Sequence, residues 1–261
     1  ALAKELMQLN SDREVLFIQG GGSSQFFMVP MNLLNDYEAA AYLDTGQWAH
    51  NAVEEAKNFG RVHIAGSSRE ANYNYIPKQL DLNVPSLKYV HITTNNTVYG
   101  TQIGTNHSLF STHHSLVADM SSDIFSRQID FNRFDLIYAG AQKNMGPSGV
   151  TLVVLKESLL GKVSRQIPTM LDYRNHIKDG SLHNTPSTFS IYVSMLTLRW
   201  LKAQGGVAAI EKHNNEKATK LYAEIDRNSK LQGVVATEDR SKMNVVWVMK
   251  NAADEDAFAS L

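Results

Sequence analysis

Short runs of β-branched and aromatic residues return from one end of the chain to the other, and between them apolar residues recur every three to four positions. That alternation predicts an α/β fold built on a mainly parallel sheet flanked by helices. Seven runs read as strands: EVLFIQ from Glu14, AYLDTG from Ala41, RVHIAG from Arg61, YVHIT from Tyr89, SLVAD from Ser115, FDLIYAG from Phe134 and GVTLVVLK from Gly149. Several are apolar at successive positions, as expected of strands covered on both faces. Ala49, Ala52, Val53, Ala56 and Phe59 share a helical face, with Gly60 placed to cap the end. Phe189 to Gln204 is apolar nearly all round, broken only by Ser190, Ser194 and Thr197, and reads as a buried helix closing the main domain. Val207 to Asp226 is more polar, keeps Ile210, Ala218, Leu221 and Ile225 on one face, and is expected to link into a second unit. The spacing places a large domain over 1–205 and the beginning of a small one over 206–261.

Composition narrows the function. The 261 residues carry 25 Lys+Arg against 26 Asp+Glu, a net charge of -1, so there is no basic field to hold nucleic acid or anionic lipid. The chain has 0 cysteines, which excludes disulfides, thiolate metal sites and a cysteine nucleophile within it and fits a reducing compartment. No apolar run approaches the ~20 residues of a membrane-spanning helix. The sequence opens at Ala1 and closes inside what reads as a beginning helix, Ala253 to Leu261, so the chain is expected to be a fragment.

Several segments could carry chemistry. Gly20-Gly21-Gly22-Ser23-Ser24-Gln25 follows a strand and opens onto an apolar helix, where free backbone N–H groups and the helix dipole suit an anion. It matches neither a dinucleotide fingerprint nor a P-loop, and it also reads as a plain strand–helix turn. Pro30 is expected to kink or restart that helix. Asp119 ends one strand and Lys143 follows the next, which puts both at the carboxyl edge where open α/β sheets bind ligands. A lysine beyond a buried strand is expected to be partly desolvated and so a better nucleophile. An aspartate beside it can serve as counter-ion to a protonated ring nitrogen, the arrangement used with pyridoxal phosphate. A simple Asp–Lys ion pair is the alternative. Trp48, at a strand–helix junction, can lie on a heteroaromatic ring or merely cover the core. Thr97 can donate to the same ligand or serve as a turn hydroxyl. The histidines show no metal-ligand spacing, and His113-His114 are expected to point apart in a solvated loop, so no metal site is expected.

The segments QGGGSSQFFMVPMNLL, YLDTGQWAHNAVEEAK, YVHITTNNTVYGTQ, LVADMSSDIFSRQID, LIYAGAQKNMGPSGVT, PTMLDY, NTPSTFSIY and WLKAQGG resemble, in order and spacing, the phosphoserine aminotransferase family. The resemblance covers nearly the whole chain. It implies a fold-type I pyridoxal-phosphate enzyme of class V, cytoplasmic and usually a homodimer with cofactor sites at the subunit interface. It implies Lys143 as the Schiff-base lysine and later the proton carrier, Asp119 as the partner of the pyridinium nitrogen, Trp48 stacked on the ring and Thr97 bonding near the ring substituents. Gly22, Ser23 and Gln142 would hold the cofactor phosphate, and Asn184 and Thr185 would reach the phosphate in the partner subunit. The implied reaction moves an amino group from glutamate to 3-phosphohydroxypyruvate, giving phosphoserine and 2-oxoglutarate in serine biosynthesis. Judged against the family's length, roughly the first fifty to sixty residues and much of the small domain are absent, and with them most substrate-binding residues. Another class V enzyme, such as a cysteine desulfurase or a different aminotransferase, and a non-catalytic cofactor-binding scaffold are the competing readings. The desulfurase needs a cysteine that this stretch lacks.

Overall fold

The computed structural model describes residues 1–251, Glu255 and Phe258, so the helix expected over 253–261 falls largely outside the described residues. All seven expected strands form: β1 (Arg13–Ile18), β2 (Ala39–Asp44), β3 (Arg61–Ser67), β4 (Leu87–Thr93), β5 (Leu116–Asp119), β6 (Leu136–Gly140) and β7 (Thr151–Lys156). They make one sheet in the order β1-β7-β6-β5-β4-β2-β3. The run β3-β2-β4-β5-β6 is parallel, whereas β7 is antiparallel to both β6 and β1. Two reversals leave β1 pointing the same way as β6.

The period of two in each strand feeds two separate cores. Ala41, Leu43, Val90, Ile92, Ala118, Ile137 and Leu152 face one side, packed with α1 (Leu2–Leu6) and with Leu198 and Leu201. Ala40, Tyr42, Tyr89, Val117, Leu136, Tyr138 and Val153 face the other, against α2 (Gly21–Leu33) and α3 (Gln47–Ala56). Every residue of β2, β5 and β6 is buried, which is why their sequences read as continuous apolar runs. The remaining helices are the single turn α4 (Ala141–Asn144), α5 (Tyr173–Lys178), α6 (Thr188–Ala203) and α7 (Gly206–Arg227). After α7 the short strands β8 (Leu231–Gly233) and β9 (Trp247–Met249) pair antiparallel. A small apolar cluster of Ala218, Tyr222 and Ile225 packs with Leu231, Val245 and Trp247.

Four local expectations are corrected. α2 continues as one helix through Pro30, so no restart occurs there, because its burial with Met28, Val29 and Leu33 outweighs one missing hydrogen bond. α3 ends at Ala56, and Gly60 is no left-handed cap. Gly60 is there for space, since a Cβ would lie 2.7 Å from Leu34 side-chain carbons and 2.8 Å from the Asn35 carbonyl oxygen. α6 is not buried all round: Ser190, Ser194, Leu198 and Leu201 face inward, while Phe189 and Trp200 are 73% and 55% exposed. The small serines face inward because the neighbouring loop comes so close that a Cβ on Gly146 would meet Ser194 Oγ at 2.5 Å. On α7 the inward face is Asn214, Ala218, Tyr222 and Ile225, and Leu221 lies outside.

Gly60→Ala is expected to cost about 1–3 kcal/mol by overpacking, read as a lower urea midpoint at unchanged slope; an unchanged midpoint would refute the close approach to Leu34.

Candidate active site

The topology gathers the candidate residues at one edge. β2 is followed in sequence by β3 on one side and lies beside β4 on the other, so the strand order reverses there and opens a crevice at the carboxyl ends. Trp48 follows β2, Thr97 follows β4, Asp119 ends β5 and Lys143 follows β6. Because β1 runs parallel to β6, the glycine turn after it reaches the same edge.

Asp119 sits between Thr93 on β4 and Tyr138 on β6 in the sheet register, and it is 6% exposed. Burial pushes its carboxyl above the usual carboxylate range, opposed by hydrogen bonds from Ser121 and by the charge of Lys143. The Ser121 amide donates to Asp119 Oδ1 at 2.9 Å, and the Gly140 amide donates to Ser121 Oγ at 3.0 Å. Ser121 thereby ties the turn after β5 to the end of β6, from which Lys143 is carried. Gly22 closes the site from the other side. A Cβ there would lie 3.2 Å from Ser121 Oγ and 3.9 Å from Asp119 Oδ2, so a side chain at this position would crowd the Ser121 hydroxyl beside the carboxylate. Gly20 and Gly21 reach that position through left-handed φ angles of 103° and 67°.

Opposite stands an aromatic wall. Trp48, half-buried in the first turn of α3, donates from Nε1 to Thr97 Oγ1 at 3.2 Å. Lys143 Nζ lies over the Trp48 ring, 4.9 Å from its centroid. Pairwise approaches therefore link Gly22, Asp119, Lys143, Trp48 and Thr97 at this edge. The desolvation expected of Lys143 is not found in the chain's own packing, for the residue is exposed on α4 at the open edge of the sheet. Ser23 is exposed in the first turn of α2. Gln142 is exposed too, with its side-chain amide folded against Gly140, where a Cβ would meet Oε1 at 2.8 Å. Asn184 and Thr185 lie in the loop before α6, half-buried and exposed respectively. The Thr185 carbonyl accepts from Gln19 Nε2 at 3.0 Å, and among the described residues no hydrogen bond joins either side chain to the cluster. The rings of His113 and His114, expected to diverge, lie 4.2 Å apart, brought together by the turn that precedes β5. Among the described residues no group of His, Cys, Asp or Glu could hold a metal ion.

Behind Asp119 lies a polar row that sequence reading missed. His91 stacks on Tyr42 with ring centroids 4.7 Å apart, and His91 Nε2 hydrogen-bonds the Tyr138 hydroxyl at 2.9 Å. The Tyr42 and Tyr89 hydroxyls share a hydrogen bond of 2.9 Å. Burial, and then the Asp119 charge, hold Tyr138 well above the ordinary phenol range. Burial pushes His91 down to about 3, so its ring is neutral. Tyr or His at alternate positions of three apolar strands was the available signal. It becomes a row only once β2, β4, β5 and β6 are known to be neighbours.

The class-V aminotransferase family profile matches residues 1–260. The phosphoserine aminotransferase of Flavobacterium johnsoniae is 55% identical over 262 residues, which cover 100% of this chain and 72% of that one. A solved phosphoserine aminotransferase, studied for radiation damage of its Schiff base, superposes at a TM-score of 0.94 with 46% identity, over 99% of this chain and 72% of that one. The chain belongs to the class-V aminotransferases, in the phosphoserine aminotransferase branch. A pyridoxal-phosphate-bound phosphoserine aminotransferase from Trichomonas vaginalis has a TM-score of 0.90 at 31% identity, over 99% of this chain and 73% of that one.

His91 gives this aminotransferase a pH dependence of stability. Its folded pKa of about 3 lies below the unfolded value of 6.5. The unfolded chain therefore binds the extra proton, and the stability present above pH 6.5 falls as pH drops, by about 1.4 kcal/mol per unit. His91→Gln is expected to flatten the wild-type decline in urea stability between about pH 6.5 and 4.5 by that slope; equal slopes would remove His91 as its source.

Proposed function

We propose that this chain transfers the amino group of glutamate to 3-phosphohydroxypyruvate, forming phosphoserine and 2-oxoglutarate in serine biosynthesis, with pyridoxal phosphate as cofactor. One observation carries the reading: an amine, a buried carboxylate and an indole face converge around a glycine cradle at a topological switch point. That donor set suits the cofactor's ring nitrogen, aldehyde and aromatic plane. The bound cofactor supplies an electron sink for the carbon that loses its proton.

The chain's residues divide the remaining work. Asp119, held by the Ser121 amide, would present an oxygen to the ring nitrogen and favour its protonated form. Lys143 Nζ would hold the cofactor and would carry a proton to and from the substrate carbon. Trp48 would offer its face to the ring, and the hydrogen bond it donates to Thr97 Oγ1 holds the indole in place. Gly22 and Ser23, through free N–H groups in the first turn of α2, and Gln142 hold the phosphate.

A second copy of the chain completes the site, with its Asn184 and Thr185 reaching the phosphate. Support comes from α6, which starts just after those residues. Phe189, Tyr192, Leu196 and Trp200 form an exposed apolar stripe on its outer face, the kind of surface that marks an interaction site. Residues 1–205 act as the large, cofactor-binding domain, and 206–261 begin the small one, a division supported by the separate cluster around Tyr222. We place the enzyme in the cytoplasm, in line with its cysteine-free sequence. Among the described residues no helix is long and apolar enough to cross a membrane.

The protein is expected to bind pyridoxal phosphate with a yellow colour, and Lys143→Ala to leave the cofactor removable by dialysis, with transamination down at least about a hundredfold; a retained covalent link would sink the lysine assignment. Glutamate should bleach the colour and 3-phosphohydroxypyruvate restore it, and equal restoration by pyruvate would reject the phosphorylated substrate. Sedimentation should show a dimer in which Asn184→Ala weakens cofactor retention; a monomer with cofactor fully bound would refute the shared site.

A further inference from the structure

The loop after β3 holds two adjacent non-glycine residues, Asn72 and Tyr73, at left-handed φ angles of 53° and 56°. For a side chain as large as tyrosine this conformation is costly and persists only where its surroundings over-determine it. Those surroundings are on both sides. The Tyr73 amide donates to the Ser68 carbonyl at 2.8 Å, and the Ala236 amide donates to the Asn74 carbonyl at 2.9 Å. The Ile76 amide donates to Asp239 Oδ2 at 2.8 Å. Tyr73 itself is buried.

What the strained backbone delivers is one side chain that touches two arms of the active site. The Tyr73 hydroxyl donates to Asp44 Oδ1 at 3.1 Å, and Ser67 Oγ donates to Asp44 Oδ2 at 3.3 Å. Asp44 ends β2, and the chain runs directly from it through Thr45 and Gly46 to Trp48. The Tyr73 ring lies 4.8 Å from that of Tyr99, in the loop that carries Thr97. The same two arms are joined again by Asn96, whose Nδ2 donates to Thr45 Oγ1 at 3.2 Å. Gly46 admits Asn96 because a Cβ there would meet Asn96 Oδ1 at 2.6 Å. Both bridges converge on the hydrogen bond between Trp48 and Thr97.

We propose that Tyr73 is a positioning residue for the cofactor ring: by binding Asp44 through its hydroxyl and Tyr99 through its ring, it holds the Trp48 and Thr97 arms in the register that lets those side chains bond. The inference rests on the assignment of Trp48 and Thr97 to the cofactor. Burial, with the Asp44 charge beside it, pushes the Tyr73 hydroxyl up to about 12, so it stays a donor throughout the neutral range.

A double-mutant cycle in the holoenzyme tests this. Tyr73→Phe, Thr97→Ala and the pair are compared by pyridoxal phosphate titration of the apo-protein, by visible circular dichroism of the bound cofactor and by urea midpoint. Tyr73→Phe is expected to weaken cofactor binding about tenfold, the scale of one lost hydrogen bond to a charged group, and to reduce the dichroism. With Thr97 already Ala, the same change should cost less than about twofold, since its route to the cofactor is gone. Factors that multiply independently, or a lower urea midpoint with unchanged affinity and dichroism, overturn the proposal. Should Tyr73→Phe not fold, Tyr99→Leu replaces it in the cycle under the same criterion. A wild-type protein that fails to bind pyridoxal phosphate would overturn the functional reading and this inference with it. Wild-type binding with multiplicative factors removes Tyr73 alone.

Discussion

A carboxylate taken out of water at the end of a central strand constrains everything around it. Asp119 can remain charged there only if donors and a positive partner answer the cost of burial. Hydrogen bonds from Ser121 and the charge of Lys143 both act on that one group. A ring nitrogen carrying a proton is the further partner such a site favours. The arrangement stores its electrostatic advantage before any ligand arrives, as preorganised sites do.

The sheet makes this possible at little local cost. Five parallel strands present their carboxyl ends together, and the antiparallel β7 turns β1 around so that a glycine turn joins them. Strands buried on both faces supply rigidity, while the chemistry stands on the short segments that leave them. Tyr138 and His91 continue the polar environment behind Asp119 into the core. Tyr73 and Asn96 brace the opposite wall from outside. The site is thus supported from the core and from the loops.

Much of this was legible in the order of residues. Seven strands, the buried face of α3 and the positions of Asp119, Lys143 and the glycine turn follow from a period of two, a period of 3.6 and the punctuation between them. What failed did so for tertiary reasons. Gly60 has the composition of a helix cap and the role of a spacer, because the distance to Leu34 is not written in either segment. The apolar outer face of α6 reads as core, although within this chain it is exposed. Lys143 follows a buried strand yet is exposed, since burial ends with the sheet edge.

Ser121, His91, Tyr138 and Tyr73 mark the limit of sequence reading. Each is an ordinary residue in its own segment, and each becomes significant through a neighbour between 19 and 47 positions away. Local pattern determined which elements form and which residues end them, because periodicity and turn chemistry act over a few positions. Only the tertiary structure decided which strand ends lie side by side, and therefore which polar atoms meet at the sheet edge. Strand order and close approach are set by the packing of the whole chain.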